Sequence, residues 1–196
     1  MKAHADAAVA IVTDGTARSA FEQRISDRTA VITAAKTVLE AEQMAQAAAE
    51  MAVAAYETAP IGTLAEITAA EALKAPADLA VSAVTDATAK ASFTARISNR
   101  AAAIAAAKAV LQSEQANQAA AETAVTALEA APLTNIAQIN TATGLKTTAE
   151  TKASLVLDMA VRSGFLQRIT AKTIAMAVAE LNLQTYFGSM EAALEK

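Results

Sequence analysis

The chain of 196 residues contains no cysteine, no tryptophan, one histidine, two tyrosines, four phenylalanines, five glycines and three prolines. Without cysteine there is no disulfide, no thiolate metal site and no thiol nucleophile; the compartment stays open, because a disulfide-free protein can also be secreted. One histidine cannot assemble the His/Cys set of a zinc site. The glycines stand singly at Gly15, Gly62, Gly144, Gly164 and Gly188, so no glycine-rich loop is available to cradle a phosphate. Positive charge is short as well. Sixteen basic against 20 acidic residues give a formal net charge of −4, which supplies no field to draw in nucleic acid. No apolar run approaches the roughly 18 residues that cross a bilayer, and Met1-Lys2-Ala3-His4 does not open a signal peptide.

What the chain has in excess is alanine, 57 residues of it, and removing these from the 54% hydrophobic fraction leaves only 49 larger apolar side chains. Alanine is the strongest helix former and adds almost no bulk, so the composition reads as all-α, with closely packed helices around a thin core.

An internal repeat organises the sequence. Shifted by 72 residues, Ala5–Lys74 aligns without a gap on Ala77–Lys146, with 39 of 70 positions identical. A third, weaker copy begins near Ala149 and fades after about Ala175, keeping Asp14/Asp86/Asp158, Phe21/Phe93/Phe165, Arg24/Arg96/Arg168 and Ile25/Ile97/Ile169 in register. Prolines in Ala59-Pro60-Ile61-Gly62 and Ala131-Pro132-Leu133-Thr134 end one helix, because the residue before proline disfavours the α conformation. Thr63 with Glu66, and Asn135 with Gln138, fit a capping box and open the next. This helix carries Leu64, Ile67, Ala70, Leu73, Ala77 and Val84 at helical spacing, and Ile136, Ile139, Ala142, Leu145, Ala149 and Val156 in the following copy. Pro76 should bend or divide it near Lys74 in one copy only, since Thr148 replaces it in the next.

The Asp of Thr13-Asp14, Thr85-Asp86 and Leu157-Asp158 is placed to cap a second helix. In the middle copy that helix should run from about Thr88 to Ala130, with a stripe of Phe93, Ile97, Ile104, Ala107, Leu111, Val125 and Leu128. The stripe turns polar at Gln112–Gln118, as at Glu40–Gln46, where a break or hinge is the alternative.

A short helix placed between the second half of one long helix and the first half of the next makes a three-helix bundle, and long helices shared by consecutive bundles make an elongated rod. The expected divisions are a bundle over residues 44–110, another over 116–182, and a partial unit over 3–40 that lacks one partner helix. On that reading the segment comes from a longer array and its incomplete ends are open to self-association. Residues 183–196 depart from the repeat and read as a helix-favouring tail or vector-derived cap.

Little in this pattern points to chemistry. His4 stands near one end and reads as solvated. Glu40, Glu42, Glu50 and Glu57 lack the Glu-x-x-His spacing of a di-iron bundle and read as a solvated face. Thr29, Thr33 and Thr37 stack for one stretch, but their counterparts at 101, 105 and 109 are alanine, so no regular ice-matching face exists. No catalytic residue, metal site or cofactor is implied, and the chain reads as non-enzymatic. The repeated basic pairs Arg24/Arg28, Arg96/Arg100 and Arg168/Lys172 remain open to two readings. They either grip an anionic wall polymer or a protein, or pair with acids on a neighbouring helix.

The run Val84–Ile97 (Val-Thr-Asp-Ala-Thr-Ala-Lys-Ala-Ser-Phe-Thr-Ala-Arg-Ile), with Ala130–Ile139 (Ala-Ala-Pro-Leu-Thr-Asn-Ile-Ala-Gln-Ile), resembles the Ala/Thr-rich helical tandem repeats of large Gram-positive, bacillus-type surface proteins. Similar modules accompany some insecticidal crystal proteins. The resemblance covers residues 3–180. It implies an extracellular or wall-associated array acting as a stalk, spacer or adhesive module, with a host protein or wall polymer as the partner of the adhesive form.

Overall fold

A computed structural model describes residues 2–194, and these are all-helical, with no strand among them. Seven helices follow in order: α1 (Lys2–Ala10), α2 (Gly15–Thr58), α3 (Leu64–Ala72), α4 (Lys74–Ser82), α5 (Ala87–Ala130), α6 (Ile136–Ser154) and α7 (Met159–Leu194). Their boundaries follow the sequence period. α1 and α4 start 72 residues apart, and so do α2, α5 and α7. The chain divides between Ala105 and Ala106 into two compact units.

The helix starts arise from local chemistry. Asp14, Asp86 and Asp158 accept from the backbone N–H three residues on, at Ala17 (2.9 Å), Ala89 (2.7 Å) and Val161 (3.0 Å). Each thereby satisfies an N–H that has no carbonyl partner in the first turn. Thr63 and Glu66 form the full reciprocal capping box, at 2.9 and 3.2 Å. At the equivalent start only half of the expected box is made. The Asn135 side chain accepts from Gln138 N at 2.9 Å, but the Gln138 carbonyl turns instead to the Thr134 N–H (2.9 Å) and hydroxyl (2.8 Å). A threonine one residue earlier supplies two donors to that oxygen and outcompetes the single cap N–H. The division near Lys74 occurs as the proline dictates: α3 ends at Ala72, Leu73 joins it to α4, and α6, without a proline, runs unbroken.

α2 and α5 are each continuous for 44 residues, through Glu40–Gln46 and Gln112–Gln118, so neither polar stretch is a hinge. In the first unit α1 and α4 pack on α2, and α3 lies against α4; in the second α6 packs along α7. The core is thin, as the composition requires. In the second unit it comprises five alanines (Ala121, Ala131, Ala142, Ala149 and Ala153) with Val125, Leu128, Val156, Phe165, Ile169 and Met176. Alanine at the contact lets helix axes approach closely, which is how few large side chains suffice. Ile136, expected in the stripe, is 44% exposed at the first position of α6. The expected tail continues α7 to Leu194; Glu195 and Lys196 lie outside the described residues.

Candidate functional site

The polar groups gather into fastenings that recur at the repeat spacing. Arg96, on the first part of α5, extends its guanidinium between two carboxylates near the end of α2. It donates to Glu50 (2.6 and 3.0 Å) and to Glu57 (2.9 and 2.6 Å). Arg168 on α7 does the same with Glu122 (2.7 and 2.9 Å) and Glu129 (2.9 and 2.7 Å) on α5. The two glutamates are seven residues apart, two helical turns, so both face the same arginine. The planar fork of arginine makes the double clamp; an ammonium would reach only one or two oxygens at a time. Arg96 also lies over the Phe93 ring, 5.7 Å from its centroid, which seats the guanidinium against an apolar surface.

The second cation of each pair caps a helix. Arg100 donates to the Tyr56 carbonyl (3.3 Å) and the Ala59 carbonyl, and Lys172 to those of Glu129 (2.9 Å) and Ala131 (2.6 Å). These oxygens, left free at the C-terminal end of α2 and of α5, carry partial negative charge that a cation neutralises.

A third fastening lies in the polar stretches. The Glu42 carboxylate accepts from Thr85 N (2.8 Å), the Thr85 hydroxyl, Asp86 N (3.1 Å) and the Gln46 amide (2.8 Å). Glu114 accepts from Leu157 N (2.8 Å), Asp158 N (3.0 Å) and the Gln118 amide (2.8 Å). Here a long helix holds the turn that leads into the next one, which is why the apolar stripe yields to Glu and Gln at that height.

Hydrogen bonding to the ionised form lowers each of these acids. The Thr85 hydroxyl is the largest cause at Glu42, followed by Gln46 and the two backbone N–H groups, and together they bring the carboxyl from 4.5 down to about 2. Glu114 is lowered chiefly by the Leu157 and Asp158 N–H groups. Glu50 and Glu57 are lowered by Arg96, and Glu122 and Glu129 by Arg168. Groups depressed on folding stabilise the fold above their unfolded value and lose that contribution as pH falls through the folded one. The thermal midpoint is therefore expected to be flat from pH 7 to about 5 and to fall steadily below about 4.5. Glu42→Gln should flatten the acid limb; a midpoint unchanged between pH 5 and 3 in circular dichroism melts would contradict this.

Of the six basic residues singled out in sequence, four (Arg96, Arg100, Arg168 and Lys172) are thus engaged within the chain. Arg24 has only the Phe21 ring, 5.8 Å from its centroid, and among the described residues neither Arg24 nor Arg28 meets an acid or a carbonyl. The acids suspected of sharing a face are separated. Glu40 pairs with Lys36 at 3.5 Å, Glu42 holds the Thr85 turn, and Glu50 and Glu57 hold Arg96. His4 is exposed on α1, and the Thr29 and Thr37 hydroxyls bond back to the carbonyls of Ile25 and Thr33 on their own helix.

These glutamate roles were not visible in composition or periodicity, but the repeat itself held a signal for them. Glu42, Glu50 and Glu57 recur as Glu114, Glu122 and Glu129, whereas Glu40, Glu66 and Glu71 become Gln112, Gln138 and Thr143. No helix among the described residues is long and apolar enough to cross a membrane. No family model, curated protein or solved structure matches the chain.

Proposed function

We propose that this chain is a non-enzymatic structural array, a stalk or spacer segment of a bacterial cell-surface or secreted protein. In it three-helix bundles over residues 44–110 and 116–182 share continuous helices and form a rod. The single observation that carries the reading is the recurrence of the fastenings. Arg96 with Glu50 and Glu57 repeats as Arg168 with Glu122 and Glu129, and the Glu42 hold on Thr85 and Asp86 repeats as the Glu114 hold on Leu157 and Asp158. Polar residues kept at the period serve joints between helices, which is the requirement of a chain whose product is its own geometry. The continuity of α5 from Ala87 to Ala130 supports the reading. The extracellular address follows from the resemblance of the repeats to surface arrays.

Small-angle X-ray scattering tests the rod. The expected radius of gyration lies well above the about 16 Å of a compact domain of this length, with a long-tailed distance distribution. A compact profile would remove the proposal.

A further inference from the structure

Three copies of one apolar face occur in the chain, and one of them differs in what covers it. On α5, Phe93 is 8% exposed, Ile97 3% and Ile104 2%. On α7, Phe165 and Ile169 are buried in a cluster with Ala121, Val125 and Leu128 of α5. On α2, Phe21 is 40% exposed and Ile32 57%, and Ile25 is only partly covered. The charges follow the same division. Arg96 and Arg168 each hold two glutamates, and Arg100 and Lys172 each hold two terminal carbonyls. Arg24 and Arg28 hold neither.

We propose that the face formed by Phe21, Arg24, Ile25, Arg28 and Ile32, beside α1, docks the C-terminal end of another helix of this repeat type, supplied from outside the chain described here. The occupant's chemistry is read from the covered copies. It presents a line of buried residues of increasing size, as Ala49, Val53 and Tyr56 do, two glutamates seven residues apart, and carbonyls freed by a proline stop. Arg24 takes the glutamates and Arg28 the carbonyls. Arg24 already lies over Phe21 as Arg96 lies over Phe93, so the socket is preorganised. In a second copy of this chain the glutamate-bearing ends of α2 and α5 are occupied by that copy's own Arg96 and Arg168, which directs the choice to a further repeat unit. This goes beyond the spacer reading and is tested apart from it.

The test titrates the full chain with a labelled peptide of residues 41–63 and follows fluorescence anisotropy. Binding is expected, weakened at least about tenfold by Arg24→Glu and restored when Glu50 and Glu57 of the peptide are exchanged for Arg. A short isolated helix is marginal in water, so a second measurement splices a copy of residues 41–73 directly before Lys2, in repeat register. Hydrogen exchange at Ile25–Ile32 should then slow to the level of Ile97–Ile104. Unchanged exchange in the spliced chain, or peptide binding indifferent to Arg24→Glu, overturns the proposal. So does a concentration-dependent dimer lost on Arg24→Glu, which would assign the face to a second copy. A compact scattering profile with peptide binding intact would sink the stalk and leave the socket standing.

Discussion

Replacing Leu128 by alanine is expected to cost about 3 kcal/mol, within the roughly 2–5 kcal/mol range of such truncations. Leu128 is fully buried, and five of the residues in its cluster are alanines, which have no rotamer with which to refill a void. The neighbouring helices are long and held by clamps on either side, so the site collapses poorly and most of the cavity persists. The core has few large side chains to share the load. Against a total of about 5–15 kcal/mol for an ordinary domain, the loss should be plain in urea unfolding and in faster hydrogen exchange across α6 and α7. A loss below about 1 kcal/mol would mean that the helices close over the gap and that the thin core is more plastic than its packing implies.

Arg168→Ala should cost about 1–2 kcal/mol, while Arg24→Ala should change stability by less than about 0.5 kcal/mol. Both residues occupy the same repeat position, so sequence alone predicts equal effects. Arg168 makes four charge-assisted hydrogen bonds to Glu122 and Glu129. Its removal also leaves those two carboxylates without the guanidinium that bridges them. The figure is discounted for solvent screening, because the Arg168 side chain is 35% exposed and its partners 52% and 40%. Arg168→Lys should fall between, keeping the charge and losing the fork. Denaturant unfolding of the variants side by side decides it. Equal losses at 24 and 168 would refute the assignment of the clamp as the difference between the copies.

The repeated clamps tie long helices together with charged groups that stay partly wet. The same pairing explains why the basic pairs do not present three equal patches to a polymer. Four of those six cations are satisfied by the chain's own carboxylates and carbonyls, and the remaining two stand where the face is uncovered.

The helical class, the positions of the helix starts, the break before Pro76 and the 72-residue period were all determined by the sequence alone. Each is a local effect: an Asp or Thr side chain reaches an N–H three residues away, and a proline removes a donor within its own turn. The burial of Phe93, Ile97, Val125 and Leu128 followed from periodicity for the same reason. Tertiary structure alone decided that Glu42 and Glu114 anchor a turn 43 residues on, that Arg96 and Arg168 choose acids 39 and 46 residues away, and that Arg24 finds none. At such separations no spacing rule selects a partner. Which side chains meet depends on how the helices lie against one another, and identical residues acquire different roles because one copy has a neighbour across its face and another does not.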